Sequence, residues 1–268
     1  MEQELWITKW VNLALGKPAA ALLALLGIHA NAEAPIPNHI AMEIFVFLLV
    51  ALFFLWLRSR LSVERPGAAQ QFMETLLTNS YRLGLRDMIN DFIGHDGERY
   101  MAMLGSVGIF ILFMNLIGLV PTLDSPTAQY SVPLGCAILV FLYYNWCGLR
   151  KNGLLRYGRQ FVGPMPALAP LMIVVEIFSH IGRLISLTAR LYANMLASET
   201  TYALFLGLTV GLSIFIEKMN PAGYVAVVFP FFGPVVFIAL HILEAFVQAF
   251  VFTILPIIYV QGAVVEQH

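Results

Sequence analysis

SLTARLYANMLASE, residues 186–199, sets an arginine inside a stretch, residues 171–215, that is otherwise mostly Leu, Ile, Val, Ala, Met and Phe. Arginine cannot shed its charge, because its guanidinium stays protonated up to a pH of about 12 or beyond. At the centre of a membrane helix it costs roughly 2.5–3.5 kcal/mol on insertion scales, and residues that bear such a cost are functional by default. The fold and the function both turn on what Arg190 does there.

The rest of the chain is as apolar as this stretch. Of its 268 residues, 59% are hydrophobic and 12% charged, with a mean hydropathy of +0.79, whereas soluble domains carry about a quarter charged residues. The sequence is that of an all-α integral membrane protein. A net charge of −1 and singly scattered Lys and Arg leave no footprint for nucleic acid. Cys136 and Cys147 lie in or beside one apolar run without CxxC or Cys/His spacing, so neither a disulfide framework nor a metal site is expected. There is no GxxxxGK[ST], GxGxxG, HExxH or GxSxG motif, so no nucleotide, cofactor or familiar hydrolytic chemistry is expected either.

Working outward from Arg190 toward the N-terminus, hydropathy and charge define three conventional spans. Residues 131–149 and 100–121 are joined by VPTLDSPTAQY, which has no Lys or Arg, while Arg150, Lys151, Arg156 and Arg159 follow the later span. Residues 40–57 end at Arg58, Arg60 and Arg65. The positive-inside rule then puts the basic stretches in the cytoplasm and the 121–131 loop outside, consistently for all three. Residues 70–92 alternate Phe72, Leu76, Leu77 and Tyr81 with Glu74, Arg82, Arg86 and Asp87, the pattern of one amphipathic helix on the cytoplasmic surface. Residues 1–39 form an N-terminal segment on the outer side. Its run 19–30 ends in AlaAsnAla and has two readings, a signal-like segment with a cleavage site or a short helix lying on the surface.

Residues 40–268 form a single membrane domain, and its last part, about 166–263, is expected to be a long tilted helical hairpin. No proline interrupts residues 171–220; as one helix, these roughly 50 residues would extend about 75 Å, more than twice the bilayer core. Either the stretch breaks at a non-proline position or it lies strongly tilted. Residues 217–223, EKMNPAG, are a turn by composition, and a final apolar stretch follows Pro230 and Pro234.

The hairpin holds the densest set of intramembrane polar residues. At about 100° per residue, Glu176, Arg183, Arg190 and Asn194 fall within roughly 40° of each other, and His241, Glu244 and Gln248 share a face of the other arm. Folding the arms about residues 219–220 sets Arg190 level with Gln248 and Glu199 level with His241. Some of these residues have blander readings: Glu176 and Arg183 as a structural ion pair, His180 as an interfacial residue, Ser179 and Ser186 as packing hydroxyls. Arg190 has none as good, since its nearest acid on the same helix face, Glu176, is about 21 Å away along the axis.

Glu199, His241 and Glu244 make a proton relay from one surface, and Glu176 with Ser179, Ser186 and His180 makes another, because buried His and Glu exchange protons near neutral pH. Between them Arg190 can do neither job and repels protons. The pattern is two half-paths with a barrier, completed by a mobile carboxylate on a partner.

SLTARLYANM (186–195) with Glu199, followed by HILEAFVQAF (241–250), resembles subunit a of the rotary F-type ATP synthases, with their SLxxRLxxN stretch and their QAF stretch in the final helix. FMNLIGLVP (113–121) and SPTA (125–128) look like an earlier helix and loop of that family, and the resemblance runs from about residue 40 to the C-terminus. It implies a non-catalytic, proton-conducting stator subunit of the bacterial cytoplasmic (inner) membrane, with its N-terminus outside and its C-terminus cytoplasmic. It further implies partnership with a ring of small c subunits and with the peripheral-stalk subunit b. Arg190 would face the ring carboxylate with Gln248 and Asn194 as neighbours; Glu199 and His241 would line the inlet from outside, Glu176 and Ser179 the cytoplasmic exit. Gly118 stands where relatives often carry Asp, and Tyr192, Ala193 and Ser198 replace the usual Phe, Gly and Gly. Glu244, one turn from His241, is a candidate substitute for the missing acid, and His241 favours H+ over Na+ as the ion. A secondary transporter is the rival reading, but the sequence lacks the internal symmetry it requires.

Overall fold

The computed structural model describes residues 5–25, 27, 35–78, 84–94, 97–120, 123, 125–162, 168–216 and 224–264; at 159–162, 212–216 and 224–234 only the backbone is described. The candidate cleavage site at 30–32 and the expected turn at 217–223 lie outside these residues. Among the described residues the chain is all-helical, with eight α-helices: α1 (Trp6–Leu25), α2 (Asn38–Ser59), α3 (Ala68–Leu77), α4 (Leu85–Ile93), α5 (Glu98–Ile117), α6 (Ser131–Val162), α7 (Ala169–Ile216) and α8 (Tyr224–Val264). Five of them, α2 and α5–α8, are long and apolar enough to cross a membrane. α2, α5 and α6 fall on the three expected spans, and α7 and α8 on the two stretches expected to form the hairpin.

Local chemistry sets several of the boundaries. The expected single surface helix over 70–92 is instead two helices. Thr78 turns extended at φ −135°, with its N–H bonded to the Glu74 carbonyl, and α4 starts after the extended Gly84. α1 begins well before the apolar run at 19–30. α6 changes direction at Gly153, whose φ of 73° and ψ of 163° are non-helical; this region is essentially reserved for glycine. Beyond it the chain folds back, so that a Cβ on Gly148 would lie 2.5 Å from the Tyr157 ring, and the Tyr157 hydroxyl donates to Asn145 Oδ1 at 2.8 Å. α7 does not break: it runs 48 residues, about 72 Å at 1.5 Å per residue. α8 starts at Tyr224 and takes Pro230 and Pro234 into its length instead of following them.

The chain consists of two compact units. The first contains residues 1–46, 112–132 and 190–248, with Met42, Val46, Met114, Leu191 and Met195 among its buried residues. Here the side-chain amide of Asn12 donates to the Ile36 carbonyl and its Oδ1 accepts the Ile36 N–H, both at 3.0 Å, tying α1 to the start of α2. The second contains residues 47–111, 133–189 and 249–268, with Ile89, Ile111, Tyr144, Phe252 and Val260 buried. In both units large apolar side chains remain uncovered, among them Leu52, Leu55 and Trp56 on α2, Ile177 and Phe178 on α7, and Leu243 and Val247 on α8. Such faces are suited to hydrocarbon rather than water.

Candidate functional site

In the first unit, α7 presents Leu191 and Met195 to the interior, both buried. Arg190 lies about 100° around the helix from Leu191 and is exposed. Among the described residues it makes no hydrogen bond or ion pair. One turn on, Asn194 Nδ2 donates to Gln248 Oε1 at 3.1 Å. Gln248 is 2% exposed, and its own Nε2 has no acceptor among the described residues. Gln248, expected level with Arg190, is thus bonded from one helical turn further along the same face.

Deeper in the same unit a polar chain runs through His241, which is buried. Its Nδ1 lies 2.7 Å from Ser198 Oγ and its Nε2 lies 3.2 Å from the Asn115 carbonyl oxygen. A carbonyl only accepts, so Nε2 carries a proton, and in the neutral ring Nδ1 accepts from the serine hydroxyl. Thr127 Oγ1 donates to Asn115 Oδ1 at 2.7 Å and lies 2.7 Å from Ser125 Oγ, which bonds the Met114 carbonyl at 3.1 Å. Glu199 accepts the Ser125 N–H at 3.2 Å. The imidazole's neighbour is Ser198, one residue earlier and about 100° around α7. Glu244 adjoins both Ser198 and His241. Gly118 faces the same carboxylate: a Cβ there would lie 3.6 Å from Glu199 Oε1 and 2.9 Å from Ser125 Cβ.

The second unit gathers the other set. His180 Nε2 lies 3.3 Å from Glu176 Oε1, while Arg183 reaches the same oxygen only at 4.0 Å and has its guanidinium 5.4 Å from the Tyr259 ring centroid. His180 Nδ1 lies 2.6 Å from the Tyr144 hydroxyl, and the two rings stack at 5.7 Å. His180 therefore bridges a carboxylate and a phenol. Ser179 is half-buried and Ser186 exposed, and neither makes a hydrogen bond among the described residues. The sequence reading missed Asn115, Ser125, Thr127 and Tyr144. The NLxGL and SPT stretches flagged the first three as family-like without a role, and nothing local marked Tyr144, since a tyrosine in an apolar helix reads as packing. Among the described residues there is no group of His, Cys, Asp and Glu placed to hold a metal.

The sequence profile of the family "ATP synthase A chain" matches residues 40–261. The chain is 38% identical to the ATP synthase subunit a of Koribacter versatilis across the full length of both chains. It is 42% identical to that of Solibacter usitatus, over 92% of this chain and 95% of the relative, and 37% identical to that of Aquifex aeolicus, over 84% and 97%.

Proposed function

The chain belongs to the ATP synthase subunit a family, and from this premise we propose that Arg190 is the barrier between two offset proton half-paths and the electrostatic partner of carboxylates on a rotating ring. Membership makes the chain a proton-translocating, membrane-sector component of a bacterial inner-membrane ATP synthase, assembled with other subunits and distinct from the catalytic one.

One observation carries the finer reading. Arg190 is an exposed, permanently charged group on an apolar helix, unpaired among the described residues, while Asn194 and Gln248 beside it are bonded to each other. A guanidinium left unpaired in a low-dielectric setting awaits an anion from outside the chain. A ring carboxylate that has lost its proton is attracted to Arg190 and held ionised there, and a protonated one is not. Protons arrive from outside through Glu199, Glu244, His241 and Ser198, supported by the Asn115, Thr127 and Ser125 network. They leave toward the cytoplasm along Glu176, His180 and Tyr144, with Ser179 and Ser186 on the same arm. Each charge crossing 100 mV releases about 2.3 kcal/mol, and the barrier converts that drop into one-way turning of the ring. Subunit c supplies the mobile carboxylate and subunit b holds the stator; the N-terminus lies outside and the C-terminus in the cytoplasm.

The test is ATP-driven proton pumping in inverted vesicles carrying Arg190→Ala, with assembly checked by co-purification of the ring. Loss of pumping in an assembled complex is the expected result. Pumping at the wild-type rate overturns the assignment.

A further inference from the structure

A second built feature lies in the second unit and shares no residue with the proton path. Arg99 and Tyr100 of α5 and Tyr143, Trp146, Arg150 and Lys151 of α6 line a cavity of about 420 Å³, within the usual range for small-ligand sites. Among the described residues the lining holds three cations and no acid. The neighbouring Glu98 carboxylate accepts from Arg86 Nε at 2.8 Å. Arg99 stands over the Tyr100 ring at 5.3 Å, and Tyr100 is buried, so one wall is aromatic.

The same face of α6 continues away from the cavity. Leu139, Leu142, Tyr143, Trp146 and Arg150 fall within about 100° of arc on one helix. Leu139, Leu142 and Trp146 are 47%, 61% and 60% exposed, and Arg150 is exposed. From 139 to 150 the helix rises about 16 Å, roughly half the ~30 Å hydrocarbon core and hence one leaflet. The order along this track is aliphatic, aromatic, cationic, the polarity profile of a phospholipid from acyl chain through interface to headgroup. We infer that this cavity binds the headgroup of an anionic phospholipid. Arg99, Arg150 and Lys151 hold the phosphodiester, Trp146 and Tyr143 sit at glycerol level, and an acyl chain lies along Leu142 and Leu139. A free phosphate satisfies the cations but leaves the track unused, so the lipid is the better match.

The test uses the full chain in mild detergent and scores retained molecules by native mass spectrometry, with three probes: dioctanoyl phosphatidylglycerol, dioctanoyl phosphatidylcholine and inorganic phosphate. The expected result is at least ten-fold tighter binding of phosphatidylglycerol than of phosphatidylcholine, no displacement by equimolar phosphate, and a ten-fold loss in Arg150→Gln/Lys151→Gln. Equal binding of the two lipids overturns the site as merely annular. Displacement by phosphate overturns it as a free-anion site. The comparison of the three probes on the unaltered chain decides the matter even if the double variant misfolds, and unchanged binding in a folded double variant also overturns it.

Discussion

Ser198 Oγ stands 2.7 Å from His241 Nδ1, on the side of the ring opposite the nitrogen that meets the Asn115 carbonyl. A hydroxyl accepts from a protonated Nδ1 as readily as it donates to a neutral one. His241 can therefore gain and lose a proton without either contact breaking, as a relay group must. Replacing Ser198 by Ala removes one hydrogen bond worth about 1 kcal/mol, a factor of about five. ATP-driven proton pumping at saturating ATP should fall by about that factor with assembly intact, and Ser198→Thr should restore most of it. Equal rates in Ser198→Ala and wild type would remove Ser198 from the relay.

Asn194 and Gln248 bind each other in a place where Gln248 is buried. Asn194→Ala leaves the glutamine amide without its partner, at a cost of about 1–3 kcal/mol. The thermal midpoint of the purified full chain should drop by about 2–4 °C per kcal/mol. Asn194→Ala/Gln248→Leu, which removes both polar groups, should recover most of the loss. A double variant less stable than the single one would show that the pair is not a self-contained unit.

At Gly118 a side chain would press on Ser125 Cβ at 2.9 Å and approach Glu199 Oε1 at 3.6 Å. Gly118→Ala should cost about 1–3 kcal/mol by overpacking. Gly118→Asp adds a like charge beside Glu199 and should destabilise further than Gly118→Ala. Melting curves of the two variants test both. Gly118→Asp as stable as wild type at pH 7.5 would mean that the loop has room for an acid there.

Tyr144 meets His180 through both its hydroxyl and its ring face. Tyr144→Phe keeps the stacking and deletes the hydroxyl that the proposed exit path uses, so flux should fall about five-fold with little loss of stability. Tyr144→Leu should lose both. If flux is the same in Tyr144→Phe and wild type, the phenol only packs and the exit path ends at His180.

Much of this protein is legible in the sequence because the bilayer imposes simple rules. Apolar runs long enough to span are helices, since unpaired backbone groups are untenable in lipid; residues 40–57, 100–117 and 131–149 are accordingly found in α2, α5 and α6. The absence of proline over residues 171–220 permits the uninterrupted length of α7 without requiring it. Arg190 stands out because a fixed charge is costly in oil wherever the helix packs. Tertiary structure decided what depends on distances of a few ångströms. Helix periodicity places residues on a face to within roughly one position, so it could set a polar group of α7 level with His241 but not single out the Ser198 hydroxyl that meets its Nδ1. The partners Asn115, Thr127 and Tyr144 come from helices and loops far off in the chain, and pairings of that kind leave no periodic trace. The break after Thr78 and the fold-back at Gly153 rest on single backbone conformations, which composition permits at many positions but only packing selects.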